Sequence, residues 1–223
     1  PPLGILSLSA YLRNRMPLDM KLLDQRLDNT SSDDIVRSAA EFNADVIGFG
    51  VLTPFAPLLP ELALKARKAL PNALIVLGGP HVTGFGAGVM DDVPHADMLI
   101  TGEGELALEQ VLQARAEGND YGHIPGLVWR NAAGEITVNP GPTPMLDNLD
   151  TFPFLAYDLI DLPKYWRHEA MANVPPRKYI GLFSSRGCPY GCIYCHRIFG
   201  KRFRAQSAER VIAEIEHLQK TYG

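Results

Sequence analysis

The stretch Ser184-Ser185-Arg186-Gly187-Cys188-Pro189-Tyr190-Gly191-Cys192-Ile193-Tyr194-Cys195-His196 holds all three cysteines of a 223-residue chain, spaced Cys-x-x-x-Cys-x-x-Cys. An apolar run from Tyr179 to Phe183 precedes it and a capped helical pattern follows it. An odd set of thiols within eight residues leaves one unpaired, and so tight a loop does not suit a disulfide framework. Clustered thiolates repel one another unless a cation or an iron–sulfur cluster offsets their charge, so the spacing points to a metal site. Three thiolates can hold three irons of a cubane 4Fe–4S cluster and leave the fourth open. Gly187 and Gly191 let the backbone wrap closely and turn amide N–H groups toward an anionic cluster. Spacing alone also admits a zinc site completed by His196, or a metal-free thiol cluster. Lys201, Arg202 and Arg204, just beyond the loop, are expected on a solvated face.

Upstream, strand-like runs alternate with helical ones. Leu3 to Leu12 follows two prolines and has helical spacing. Met20 to Leu23 is a short strand candidate, and Ser31 or Ser32 caps a helix with Ile35, Val36 and Ala39 facing inward. Asp45 to Leu52, Ala73 to Leu77 and Asp97 to Ile100 are apolar without polar alternation, as strands buried on both faces are. Helical patterns at Leu58–Leu70 and Leu106–Ala116 complete the alternation, which predicts an α/β, Rossmann-like parallel sheet with helices on both sides. Glycines fall just after the strands, where open α/β sheets bind ligands. Leu127–Arg130 and Glu135–Val138 flank Asn131-Ala132-Ala133-Gly134, a hairpin signature.

From Asn139 to Lys178 the pattern breaks: seven prolines and scattered aromatic residues suggest an ordered connector on the surface. The division expected is therefore a sheet domain at 1–138, a connector at 139–178 and a second domain beginning at 179–223. In that second domain the strand Tyr179–Phe183 delivers the cysteine loop, and Ser207 caps a helix with Val211, Ile212, Ile215 and Leu218 on one face.

Composition narrows the function classes. A net charge of −4, without a long basic block, gives sequence-independent nucleic-acid binding little support. No apolar run reaches membrane-spanning length, the first apolar stretch lacks a signal-peptide leader, and cysteines confined to one loop fit a reducing, cytoplasmic setting. The chain starts at Pro1 and stops at Gly223 directly after a helical pattern, so it is expected to be a piece of a longer protein.

The cysteine loop resembles the radical SAM superfamily, whose signature Cys-x-x-x-Cys-x-aromatic-Cys follows the first strand of a partial (β/α) barrel. On that resemblance Cys188, Cys192 and Cys195 are the cluster ligands and Tyr194 lies against the adenine of S-adenosyl-L-methionine. The resemblance further implies that the open iron chelates S-adenosyl-L-methionine, that reductive cleavage releases a 5′-deoxyadenosyl radical, and that flavodoxin or ferredoxin supplies the electron. It makes residues 179–223 the first βα unit of the barrel, with the small-molecule substrate pocket built from later barrel segments.

The first domain resembles the cobalamin-binding domains that precede one subgroup of radical SAM cores. Gly50-Val51-Leu52 is similar to the Ser-x-Leu element of those domains, with glycine in place of serine; Gly78-Gly79 follows at about the family spacing; Thr101-Gly102-Glu103-Gly104-Glu105 resembles the Gly-Glu-Gly-Glu turn. The resemblance implies cobalamin contacts from Leu52, Thr53, Gly78, Gly79, His81, Gly102, Glu103 and Gly104. The Asp-x-His-x-x-Gly motif that supplies an axial histidine in many cobalamin domains does not occur in the chain. The function so implied is a cobalamin-dependent radical SAM enzyme of methyltransferase or cyclase type. The alternative is a non-catalytic cobalamin- or tetrapyrrole-binding module with a structural or electron-transfer cluster.

Overall fold

The computed structural model describes residues 1–167, 178–196 and 198–223; residues 168–177 of the expected connector lie outside them. Its longer helices are α1 (Leu3–Arg13), α2 (Ser32–Glu41), α3 (Leu59–Ala69), α4 (Pro80–Phe85), α5 (Glu105–Glu117) and α6 (Ala208–Tyr222). The strands are β1 (Val46–Gly50), β2 (Leu74–Gly78), β3 (Met98–Leu99), β4 (Val128–Arg130), β5 (Ile136–Val138), β6 (Ser185–Arg186) and β7 (Arg204–Ala205). They pack into two compact units, one of residues 30–146 and 187–202, the other of 1–29, 147–186 and 203–223.

The first unit is α/β, the fold class expected, on a five-stranded sheet in the order β1-β2-β3-β4-β5, but its bounds differ from the expected 1–138: residues 1–29 fall in the other unit and the cysteine loop, 187–202, in this one. β1, β2 and β3 are parallel, in a register that sets Gly50 beside Gly78 and Leu77 beside Leu99. β4 and β5 run antiparallel, so the sheet is mixed. Strand period two divides β2 between two cores. Ile75 and Leu77 pack with Val36, Leu62, Ala63 and Ala66, whereas Leu74 and Val76 pack with Ala107, Val111 and Ile124. Helices α2 and α3 thus cover one face and α5 the other. The cap of α2 is Ser31, whose hydroxyl accepts the Asp34 N–H while the Asp34 carboxylate accepts the Ser31 N–H.

The second unit is built around Leu6, Tyr157, Leu162 and Leu218, and the structure departs from sequence expectation at five places. Residues 139–167 do not drape over a surface: Leu149, Tyr157 and Leu162 are each at most 3% exposed and supply core. Met20–Leu23 is not a strand, because among the described residues no neighbour offers it a ladder; Leu22 joins the core and Asp24 starts a helical turn at Gln25–Asp28. Among the described residues Tyr179–Phe183 is likewise without a ladder. Its Ile180 and Leu182 pack side-on in the core, and pairing begins only where Ser185 and Arg186 meet Ala205 and Arg204. On α6 the buried positions are Glu214 and Leu218, while Ile212 and Ile215 are exposed. On the inward side Arg210 pairs with Glu214 at 3.2 Å and reaches the Phe152 carbonyl and the Phe154 ring. Arg204, expected in solvent, is 5% exposed. Burial, with the negative charge of Glu214 nearby, pushes the Tyr157 hydroxyl well above the ordinary phenol range; it therefore stays protonated and donates to the Gly181 carbonyl.

Beside Arg130, which donates to the Ala96 and Met90 carbonyls, Asn139 ties the β4–β5 hairpin to the chain before it. Asn139 donates to the Tyr121 and Ile124 carbonyls at 2.6 and 2.8 Å and accepts the Trp129 indole N–H at 3.1 Å. Truncation in Asn139→Ala leaves these three groups without their partner and is expected to cost about 2–3 kcal/mol, read from the urea unfolding midpoint. A loss under about 0.5 kcal/mol would contradict this role.

Candidate functional site

Parallel pairing of β1, β2 and β3 brings their C-terminal ends to one edge of the sheet, and the three glycine-containing turns predicted from sequence lie there. Hydrogen bonds join them. The Val51 N–H donates to the Gly78 carbonyl at 2.9 Å, and the His81 N–H to the Val51 carbonyl at 3.1 Å, which fastens the first turn to the second. The Gly102 N–H donates to the Thr83 hydroxyl at 2.9 Å, and that hydroxyl donates to the Gly79 carbonyl at 3.0 Å, fastening the second to the third.

Gly79 is the closest approach. Its φ is +95°, and a Cβ there would stand 2.8 Å from the Val51 nitrogen and 3.0 Å from its oxygen. Only glycine meets both demands. Gly102 also has a positive φ, +71°, and Gly104 is the N-cap of α5. Glu103 and Glu105 beside it are buried at 3% and 4% exposure, where carboxylates complement the positive end of the helix dipole.

Around these turns large apolar side chains stay in solvent. Leu52, Phe55 and Leu58 follow β1, Phe85 closes α4, and Thr53 is exposed beside them. Exposed apolar groups at a strand-end edge mark a ligand surface more than a fold requirement. A cleft of about 440 Å³ opens there, lined by Thr53, His81 and Asp92 among apolar neighbours. Sequence reasoning missed Thr83 and Asp92. The signal for Thr83 was its place four residues after Gly79 on a helix, where a threonine hydroxyl bonds back to the i−4 carbonyl; Asp92 carried none.

The cysteine loop belongs to the same compact unit as these turns. Its base is closed by the Cys188 N–H donating to the Gly200 carbonyl at 3.2 Å. Gly187, at φ +81°, has no room for a side chain, since a Cβ would collide with the Arg202 carbonyl oxygen. The Cys195 N–H bonds back to the Cys192 carbonyl at 3.2 Å, making a turn whose tip, Ile193-Tyr194, projects fully into solvent. The Ile198 carbonyl oxygen stands 3.5 Å from where a Gly102 Cβ would be, so the loop passes close against the third strand-end turn.

Cys188, Cys192 and Cys195 are unbridged and exposed. Among the described residues no three His, Cys, Asp or Glu side chains stand close enough to hold a metal ion, and His196 is exposed beside the loop. Three thiols have no attraction for one another, so only a bound centre would draw them inward. The donor set itself fits an iron–sulfur centre: three soft, accessible thiols on one loop with pinned ends.

Comparison with known proteins agrees with this geometry. A family model described as the B12 binding domain matches residues 1–112. The chain is 32% identical, over its whole length and 47% of the relative's, to an uncharacterized methyltransferase of Pyrococcus horikoshii. It is 30% identical, again over its whole length and 43% of the relative's, to the anaerobic magnesium-protoporphyrin IX monomethyl ester cyclase of Synechocystis sp.. A solved structure of the cobalamin-dependent S-adenosylmethionine radical enzyme OxsB, with aqua-cobalamin and S-adenosylmethionine bound, superposes with a TM-score of 0.81. That likeness covers 99% of this chain and 29% of that one at 19% identity, and shows shared fold. The chain belongs to the B12-binding-domain family. It spans less than half the length of these curated relatives. No helix among the described residues is long and apolar enough to cross a membrane.

Gly79→Ala is expected to lower stability by about 1–3 kcal/mol, from forbidden φ and contact with Val51 combined. It should also weaken cobalamin binding by pushing the first turn from the second. Urea unfolding and absorbance titration with hydroxocobalamin check the two effects; wild-type values in both would show that the close approach is dispensable.

Proposed function

We propose that this chain is the cobalamin domain and cluster-binding loop of a cobalamin-dependent radical SAM enzyme that performs methyl transfer or related radical chemistry on an unactivated centre of a small molecule. The observation that carries the proposal is the packing of the loop that bears Cys188, Cys192 and Cys195 against the Thr101–Gly104 turn, in one compact unit with the other strand-end turns. A radical centre and a corrin must act on one substrate, so their binding loops need to be neighbours.

The chain's own residues divide the work. Cys188, Cys192 and Cys195 would hold a 4Fe–4S cluster through three irons, with Gly187 and the Cys188–Gly200 bond fixing the loop base. Tyr194, on the exposed tip, offers an aromatic face for the adenine of S-adenosyl-L-methionine. Leu52 and Thr53, with Gly78 and Gly79 behind them, form the shelf on which a flat macrocycle would rest; Gly102, Glu103 and Gly104 form its second side. Bound in these places, the cluster supplies an electron for cleavage of S-adenosyl-L-methionine, and cobalamin supplies a methyl carrier. The apolar side chains Leu52, Phe55 and Phe85 would exclude water from that shelf. A small electron-transfer protein such as flavodoxin or ferredoxin is the expected reductant.

The test is anaerobic reconstitution of the full-length protein. About four irons and four sulfides per chain, and 5′-deoxyadenosine formed on reduction with S-adenosyl-L-methionine, are expected. Replacing all three cysteines by alanine should abolish both while leaving cobalamin binding in place. An intact, reduced cluster that yields no 5′-deoxyadenosine would point instead to a non-catalytic cobalamin- or tetrapyrrole-binding module, and zinc in place of iron would sink the proposal.

A further inference from the structure

The cysteine loop carries a charge pattern that its proposed chemistry does not use. From Tyr179 to Ala208 the sequence has no aspartate or glutamate and holds Arg186, Arg197, Lys201, Arg202 and Arg204, in a chain whose net charge is −4. Arg186 and Arg204 lie inside the fold, at 6% and 5% exposure, whereas Lys201 and Arg202 are exposed. Main-chain contacts fix where that pair stands. The Cys188 N–H donates to the Gly200 carbonyl at 3.2 Å, and the Arg202 carbonyl oxygen stands where a Gly187 side chain would be. Lys201, between those two anchor points, is therefore at the neck of the loop, beside the first cysteine. The same loop also shows apolar surface, with Tyr190 75% and Ile193 101% exposed.

Charges that serve only to offset thiolates act most strongly out of water. These two are in water, where their field reaches outward over a Debye length, about 10 Å at 0.1 M salt, and steers an oppositely charged partner. The partner that the proposed chemistry requires at this place is the one-electron donor. Electron transfer falls off steeply with distance, so a donor has to seat on the loop that carries the cluster ligands and not on a remote face. Redox encounters of this kind are small and transient, under about 1,200 Å² in all, an area that a few charged and apolar side chains supply.

We infer that the cysteine loop is itself the docking surface for the reductant, and that the reductant is an acidic one-electron carrier seated on Lys201 and Arg202, with Tyr190 and Ile193 as its apolar contact. The inference rests on the cluster proposed above. One electron leaves the redox centre of the carrier, which is oxidised, and enters the cluster held by Cys188, Cys192 and Cys195, which is reduced; no proton, atom or leaving group is exchanged. Lys201 and Arg202 are then binding residues for a protein partner and take no part in cleaving S-adenosyl-L-methionine.

The experiment uses full-length reconstituted protein, with a plant-type 2Fe–2S ferredoxin as the acidic carrier. Isothermal titration calorimetry compares wild type, Lys201→Glu, Lys201→Glu/Arg202→Gln and Lys68→Glu, the last a charge reversal at an exposed position in the last turn of α3. At about 20 mM salt Lys201→Glu is expected to weaken ferredoxin binding about tenfold, the double variant further, and Lys68→Glu less than about twofold. Raising the salt to about 200 mM should weaken wild type about tenfold and the double variant less than about threefold. Two measurements made without ferredoxin separate docking from an effect on the cluster. The midpoint potential from a redox titration followed by electron paramagnetic resonance, and the yield of 5′-deoxyadenosine driven by dithionite, should both be unchanged in Lys201→Glu. If Lys201→Glu does not retain its cluster, Lys201→Gln replaces it, with a loss of about threefold expected. Equal ferredoxin affinities of wild type and Lys201→Glu overturn the inference, as do undetectable wild-type binding at low salt and an equal loss in Lys68→Glu. A midpoint potential that moves in Lys201→Glu while ferredoxin affinity holds shows that the charge serves the cluster, and overturns it too. A wild type without a cluster, or without dithionite-driven 5′-deoxyadenosine, fails the proposed function as well. Wild-type cleavage with dithionite, together with ferredoxin binding indifferent to Lys201, fails this inference alone.

Discussion

The contact on which the site depends is the approach of Gly79 to Val51. A glycine with positive φ lets the chain leaving β2 fold against the chain leaving β1 at a distance no side chain permits. Two main-chain hydrogen bonds then lock the turns together. Everything on that edge inherits its position from this junction: Leu52 and Thr53 on one side, His81 and the start of α4 on the other, and the third turn through Thr83. A displacement of a few tenths of an ångström there would move all three turns, because they are bonded to each other and not only to their own strands.

A second constraint sits at the base of the cysteine loop. Gly187 leaves room for the returning chain at Arg202, and the Cys188–Gly200 bond closes the neck. The loop is thereby held at its ends while its thiols and the Ile193-Tyr194 tip remain in solvent. That combination leaves the three thiols accessible on a loop whose ends are fixed. The same accessibility is visible at the strand-end edge, where apolar surface that folding alone would bury has been left exposed at Leu52, Phe55 and Phe85.

Much of this was legible in the chain before any coordinates. The unalternating run at β2 announced a strand buried on both faces, and two separate cores on its faces bear this out, whereas β1, at the end of the strand order, is only partly buried. The turns at Gly50–Thr53, Gly78–His81 and Thr101–Gly104 were legible because they follow strands, where open α/β sheets bind ligands, and because they resemble cobalamin-domain elements. What failed were segments whose state depends on a partner. Met20–Leu23 and Tyr179–Phe183 have strand-like composition, yet their side chains pack into the second core and their backbones find no ladder. On α6 apolar spacing named Ile212 and Ile215 as inward, whereas the face that packs inward carries Arg210, Glu214 and Leu218.

The sequence by itself determined the chemistry available: a triad of thiols on a tight loop, an α/β sheet and a set of glycine turns at its strand ends. These follow from local covalent facts, since thiol spacing, glycine φ freedom and period-two burial do not depend on distant residues. Only the tertiary structure decided that the three turns are bonded to one another, that the cysteine loop passes the Gly102 turn, and that Lys201 and Arg202 stand at the neck of that loop. Each of those is a distance between residues far apart in the chain, and such distances are set by how strands pair and cores fill, which no local pattern encodes.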